Sequence, residues 1–429
     1  MYNRVSLEHP EIMDLIPKDI IHMYYSYSAK EHFQNIELAG ENGFEMGIHP
    51  GMNNWQRFFP DLSEALVNIR NLTLEAAENN ALGAAVCTWG DYGGKNFREL
   101  LYYGYAYQGE VAWSPETNDI DKFGTTFFNL RNGKGTATYF KTIYSLLEKW
   151  PADWNRGRTI IPYFRHPFLT NINGFVLDEK QKYLYQNNGK LALQLIHELQ
   201  PKVKYRQSDL KYLDFCALTY LNFLKSEELV NDIQKEQNNN LTQDAEDLSE
   251  RITGIKFELE QLRDMFEALW LETNLPANLE YNLNDYNRLI SAWEKAQKQI
   301  LSGNFDLNPV TPAQWIYHPV AYEEDRLTPH CRFQKTFSIN KEVESAGVQL
   351  IGDTHVKLFV NGNFLGEQYA RKDLVPKDDQ MIGIYNIKKF LQKGENSVVV
   401  EAHNCMLGTR FREPTRRHGN PGIHLYGEI

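Results

Sequence analysis

The stretch "AAVCTWGDYGG", Ala84 to Gly94, runs small and apolar residues straight into an indole and a carboxylate, with glycines around them. A buried strand that ends on Trp89 and Asp91 has the makings of a sugar site. A flat ring packs on the C–H face of a pyranose, and a carboxylate accepts from two of its hydroxyls. Two earlier runs end in a similar way. "IIHMYY" closes on Tyr25, and "HPGMNNWQRF" brings Asn54 and Trp55 just after a second strand-like run. In parallel β/α folds, ligands meet the loops at the carboxyl ends of strands. Taken singly, each ring reads as ordinary core. Three successive strand ends that each present an aromatic, two with a polar group, point to one carbohydrate pocket.

Other chemistries find less support. No Ser/His/Asp arrangement, phosphate-cradling glycine loop or zinc spacing is present, so neither a metal nor a cofactor is expected. Glu99 and Glu110 read as ion-pair or capping groups on a helix, and His22 as a satisfied core histidine. The cysteines Cys87, Cys216, Cys331 and Cys405 match no metal spacing. Cys331 and Cys405 could pair on adjacent strands, but free thiols are expected for all of them.

The elements that must position these residues follow from periodicity. Strands are expected at Ile20 to Tyr25, Phe44 to Ile48 and Ala84 to Thr88. Leu62, Ala65, Leu66, Ile69, Leu72 and Ala76 recur at helical spacing between the last two, with Asp61 placed as the cap. "FRELLYYGYAYQGEVAW" reads as a helix apolar on nearly all sides and therefore buried. This alternation implies parallel β/α units over residues 1–114. Residues 115–178 read as an irregular, aromatic connector with one helix near Thr136 to Lys149. Residues 179–305 read as a helical domain. Leu210, Leu213, Ala217, Tyr220 and Leu224 form one seam there, and Leu248, Ile252, Ile255, Leu259, Leu262, Phe266 and Leu269 another. From 315 to 429 the period drops to two. Asn361-Gly362 marks a hairpin, "ENSVVVEAHN" another strand, and the whole suggests an antiparallel β-sandwich. The expected fold class is therefore a multidomain chain with an α/β part, an α part and a β part.

Bulk composition limits the partners. The chain has 429 residues, enough for two or three domains with their own cores. Its net charge is −11 and no basic stripe interleaves with aromatics, which argues against nucleic acid. "TRFREPTRRHG" reads as a solvated loop. No apolar run reaches the ~18 residues that cross a bilayer. Aromatics reach 13%, which fits either a large core or contact with sugars. The first residues, "MYNRVSLEHPEIMDLIPKDI", lack the apolar run of a signal peptide.

With these motifs in hand, "NALGAAVCTWGDYGG…ELLYYGYAYQGEVAW" resembles the last barrel strand and helix of family-20 glycoside hydrolases, the β-N-acetylhexosaminidases. The likeness is to the branch whose final strand carries Trp-Gly-Asp. "EHPEIMDLIPKDIIHMYYSYS" is similar to the sixth strand of that barrel and the helix before it, and "HPGMNNWQRFFPDLSEALVNI" to the seventh strand and its helix. The resemblance covers residues 8 to 114. It implies that Trp89 floors the terminal-sugar subsite, Asp91 binds distal hydroxyls, Tyr25 forms a wall, and Asn54 and Trp55 line the acetamido side. The match departs in two places. Tyr25 stands where a tryptophan is usual, and no plain acetamide-binding tyrosine follows the seventh strand. Residues 328 to 429 are similar to the galactose-binding-like sandwiches appended to many glycosidases, here expected to pack rather than to bind sugar.

The family's catalytic Asp-Glu pair, at the end of its fourth strand, has no counterpart in this chain. In that family the Glu protonates the leaving oxygen while the Asp orients the substrate's own acetamido group. The resemblance therefore implies strands six to eight of a TIM-type barrel, with the catalytic residues expected upstream of Met1. Three β/α units cannot close eight strands, and open edges invite aggregation. Three readings follow. The first is the sugar-binding part of an exo-acting hexosaminidase, inactive as this chain alone and with localisation left open. The second is a non-catalytic carbohydrate-binding protein. The third is a scaffold in which the barrel signal is coincidental.

Overall fold

The computed structural model describes residues 9–55, 57–90, 95–115, 119–149, 164, 168, 178–239, 245–305, 307, 315–317, 330–352, 355–369, 383–403 and 422–428. The chain divides into two compact units. The first holds Met1–Pro151 and Glu179–Leu221, the second Ala152–Asp178 and Asn222–Ile429. The helical stretch 179–305 is thus shared between the two units.

In the first unit β1 (His22–Ser26), β2 (Met46–Pro50) and β3 (Gly83–Ala84) form a parallel sheet in that order. Each strand begins within a few residues of its expected start. The third is shorter than Ala84 to Thr88, yet the chain stays alongside β2. Ala85 and Cys87 donate to the Ile48 and Pro50 carbonyls at 2.9 and 2.7 Å, and a single parallel bridge joins Gly51 to Cys87. One face of the sheet packs Tyr24, Met46 and Ile48 against Phe33, Ile36, Phe44, Leu72 and Ala76. Strand alternation then turns Tyr25 and His49 to the other face.

Helix α1 (Leu38–Glu41) precedes β2, and α2 (Leu62–Glu78) follows it. Helix α2 buries all six periodic residues, and the Asp61 carboxylate accepts from the Glu64 N–H at 3.3 Å as its cap. Helix α3 (Tyr102–Trp113) buries Tyr103, Gly104, Tyr107, Gln108 and Val111 but leaves Trp113 87% exposed. It is one-sided, contrary to the expectation of burial all round, because its other face carries Glu110 and the edges of Tyr102 and Tyr105. Among its described residues, the connector expected to hold one helix near Thr136 to Lys149 holds α4 (Ile120–Asn132) as well as α5 (Ala137–Glu148). Phe128 stacks on Phe140 at 5.1 Å, with Tyr103 and Tyr144 each 5.0 Å from it, so these aromatics are core. Helix α6 (Glu179–Leu199) and the part of α7 (Ser208–Asn239) up to Leu221 complete the unit.

Two polar residues differ from expectation. His22 is fully buried and stacks on Phe44 at 4.0 Å, but neither ring nitrogen has a partner among the described residues. It is a core histidine without satisfaction, and burial pushes its pKa down, favouring the neutral ring. The two carboxylate oxygens of Glu99 are likewise buried without a hydrogen-bond partner among the described residues, so the expected capping or ion-pair role is not seen.

In the second unit, α8 (Ala245–Thr273) buries its whole predicted seam and packs on α9 (Leu279–Leu301). The remainder of α7 joins α8 through Asn222, which donates to Glu258 at 3.0 Å, and through an Arg251–Asp232 ion pair at 2.8 Å. Strands β4 (Trp315–Tyr317), β5 (His330–Ile339), β6 (Gly347–Gly352), β7 (His355–Val360), β8 (Asn363–Tyr369), β9 (Gly383–Asn386), β10 (Gly394–His403) and β11 (Gly422–Glu428) form two antiparallel sheets. Their orders are β5-β10-β7-β8 and β4-β11-β6-β9, and alternate residues from both enter one core with Leu350, Leu358, Val400 and Ile423. The β7–β8 hairpin turns on Asn361 and Gly362, both with positive φ (50° and 80°), as a type I′ turn requires. Cys87, Cys216 and Cys331 are free thiols; Cys405 and the basic stretch around it lie outside the described residues.

Asp214, half-buried on α7, yields a stability prediction. Burial pushes its carboxyl up to about 6, with the charge of His197 pulling the other way. The folded chain therefore keeps a proton that the unfolded chain releases, and the ionised form costs stability above about pH 6. Its contribution is complete below about pH 4 and is lost as pH rises through about 6. Asp214→Asn should raise the unfolding free energy by about 1–2 kcal/mol at pH 7.5 and change it little at pH 4. Equal gains at both pH values in urea denaturation would show that ionisation is not the cause.

Candidate carbohydrate site

The carboxyl ends of β1 and β2 are fixed to each other by one side chain. Asn68 of α2 is fully buried, accepts from the Gly51 N–H at 2.8 Å and donates to the Ser28 carbonyl at 2.8 Å. Gly51 sits so close to Tyr27 that a Cβ there would meet the tyrosine Cδ1 at 2.8 Å. Only glycine lets the ring settle onto the end of the next strand. The Tyr27 ring in turn meets Tyr25 at 5.6 Å and Trp55 at 5.1 Å, both tilted by about 45°.

Trp89 is held from three sides. The Asn54 side chain, 1% exposed, accepts from the Trp89 backbone N–H at 3.3 Å and donates to its carbonyl at 3.2 Å. The amide thus pairs with the tryptophan backbone as a neighbouring strand would. Asn96 locks that amide, accepting from Asn54 Nδ2 at 3.0 Å and donating to the Asn54 carbonyl at 2.6 Å. Finally, the indole N–H of Trp89 donates to the Tyr27 phenol at 3.2 Å. Just before it, Thr88 meets the Tyr105 hydroxyl at 3.4 Å.

The structure therefore links Tyr25, Trp55 and Trp89 through Tyr27, and all of these rings are half-buried. Asn54 is part of the same assembly, but its amide is spent on Trp89 and Asn96 rather than turned toward a ligand. Asp91 lies outside the described residues. Sequence reading missed Tyr27, Asn68 and Asn96. Tyr27 had a signal, since "YYSYS" places Tyr25 and Tyr27 on one side at period two. Close by, His49 donates from Nδ1 to the Ala85 carbonyl at 2.7 Å, which sets its tautomer, and Lys95 is 5% exposed. Burial pushes the Cys87 thiol up, a Tyr27 hydrogen bond pulling partly back, so the sulfur stays protonated at neutral pH. Among the described residues no group of three His, Cys, Asp or Glu is placed to hold a metal, and no helix is long and apolar enough to cross a membrane. Half-buried rings fixed by neutral amides can bind an apolar face bordered by hydroxyls.

No protein-family model matches the chain, and no curated protein matches it. Among solved structures it is similar to a GH138 enzyme targeting pectin rhamnogalacturonan II, with TM-score 0.41 and 9% identity over 92% of this chain and 62% of that one. It is also similar to a family GH115 4-O-methyl-alpha-glucuronidase with specificity for decorated arabinogalactans (TM-score 0.37, 12% identity, 99% and 57% covered). A third is an alpha-L-rhamnosidase from Dictyoglumus thermophilum (TM-score 0.18, 16% identity, 27% and 13% covered). The chain spans 62% of the length of the GH138 enzyme, 57% of the GH115 enzyme and 13% of the rhamnosidase. These similar structures are glycoside hydrolases, of families other than the family 20 that the motifs resemble.

The Asn54 clamp makes a measurable prediction. Asn54→Asp keeps the acceptor but sets a carboxylate against the Trp89 carbonyl and the Asn96 side-chain oxygen. Leaving these buried groups without donors should cost about 1–3 kcal/mol in urea denaturation and shift the tryptophan emission. Unchanged stability and emission would mean that the clamp does not hold Trp89.

Proposed function

We propose that this chain carries the sugar-binding face of a glycoside hydrolase, an exo-acting enzyme of the β-N-acetylhexosaminidase type. The reading is supported above all by one observation: Tyr25, Trp55 and Trp89 gather around Tyr27 at the carboxyl ends of three parallel strands. Trp89 would floor the terminal-sugar subsite, Tyr25 and Trp55 would wall it, and Asn54 would act by holding Trp89. Asp91, two residues beyond the indole, would accept from the distal hydroxyls. The three β/α units would be strands six to eight of a TIM-type barrel, and the two-sheet part of the second unit would be a galactose-binding-like sandwich.

In enzymes of that type an Asp-Glu pair does the cleavage, the Glu as acid and the Asp steering the substrate's acetamido group as nucleophile, and this reading assigns no such pair to the residues of this chain. The chain should therefore bind N-acetylglucosamine or N-acetylgalactosamine but release no nitrophenol from their glycosides. Trp89→Ala should weaken binding tenfold or more, about 1.4 kcal/mol, in isothermal titration. Equal affinity of Trp89→Ala and wild type would remove Trp89 from the site and end this reading.

Asp91→Asn should weaken that binding by about 2–4 kcal/mol, or about 30- to 1000-fold in Kd. Asn would serve about as well as Asp if the residue merely capped the turn. Near-wild-type affinity for the variant would therefore assign Asp91 to the turn.

A further inference from the structure

The resemblance that singled out Tyr25 gives no role to Tyr27, yet Tyr27 is the ring that the others touch. Its phenol oxygen takes the Trp89 indole N–H at 3.2 Å, its ring lies on Trp55 at 5.1 Å and on Tyr25 at 5.6 Å, and its base rests on Gly51 without room for a methyl group. Gly51 is itself pinned by Asn68 and bridged to Cys87. A phenol held in this way cannot shift without disturbing the indole bonded to it.

We infer that Tyr27 is the positioning residue of this site, fixing the plane of Trp89 through its hydroxyl and the spacing of Trp55 and Tyr25 through its ring. The inference rests on the proposed sugar site for its effect on affinity, but not for the hold on the indole. The backbone clamp from Asn54 fixes where Trp89 starts. The side chain keeps its own rotations about Cα–Cβ and Cβ–Cγ, and a hydrogen bond at Nε1 selects among them. Preorganisation of this kind reduces what a ligand must order on binding.

Two variants act on the same contact from opposite sides. Tyr27→Phe removes the acceptor and keeps the ring, whereas Gly51→Ala keeps the phenol and displaces the ring. The test is made on the full chain, with the Trp89 indole N–H resonance assigned by its loss in Trp89→Phe. In Tyr27→Phe that resonance should move upfield and exchange faster with water, at an unfolding midpoint close to wild type. Affinity for N-acetylglucosamine should fall about 5- to 30-fold in both variants. An indole resonance unmoved in Tyr27→Phe overturns the inference whatever the sugar does. A moved resonance with unchanged affinity, while Trp89→Ala abolishes binding, overturns the positioning role and leaves the proposed site standing. Unchanged affinity in Trp89→Ala fails the site reading itself, and the resonance still decides whether Tyr27 holds the indole.

Discussion

Everything at the rim depends on the buried amide of Asn68. It joins a donor at the end of β2 to an acceptor just past the end of β1, so two chain segments that leave the sheet in sequence-distant places keep one separation. Tyr27 departs from one of those ends and meets Trp55 beyond the other. The same device recurs at β3, where Asn54 pairs with the Trp89 backbone and Asn96 pairs with Asn54. An amide suits this work because it both donates and accepts and carries no charge to desolvate. A buried carboxylate or ammonium in place of Asn68 would cost several kcal/mol unless fully paired.

The local parts of this architecture were legible in the sequence. Asp61 after Pro60 announced a helix start, the apolar steps of three and four announced α8 residue by residue, and Asn361-Gly362 announced a hairpin whose positive φ values only such residues adopt readily. Signals of this kind lie within one element. The site is different. Asn54 acts on a residue 35 positions away and Asn96 on one 42 positions away, and an asparagine in a loop carries no mark of its partner. Helix α4 was missed for another reason. Gly124, Thr125 and Thr126 depress helix propensity in its middle, and tertiary packing of Phe128 on Phe140 overrides that preference. The third strand ended early because residues past Ala84 pair with β2 through scattered bonds rather than a continuous ladder.

By burial, the aromatic residues of the first unit fall into two populations. Tyr103, Phe123, Phe127, Phe128, Phe140 and Tyr144 pack ring on ring among helices of the first unit. Burial there pushes the Tyr107 hydroxyl up to about 12, as it does that of Tyr24 on the sheet, so these phenols stay neutral and serve packing. The rim rings are half-buried instead, and they are few. Counting aromatics cannot separate the populations; burial and hydrogen bonding do.

That difference in bonding also explains what Trp89 has to offer. Its backbone N–H and C=O are both met by Asn54, and its indole N–H is met by Tyr27. With each polar group of the residue satisfied by protein, the half-buried ring presents chiefly its π face and apolar edge. On the proposed reading, such a surface would favour ligands that bring C–H groups to the ring and direct their hydroxyls to polar groups around it. Because these bonds form on folding, the conformational cost of setting the ring is met in the free protein, and a ligand at the proposed site would keep more of its contact energy.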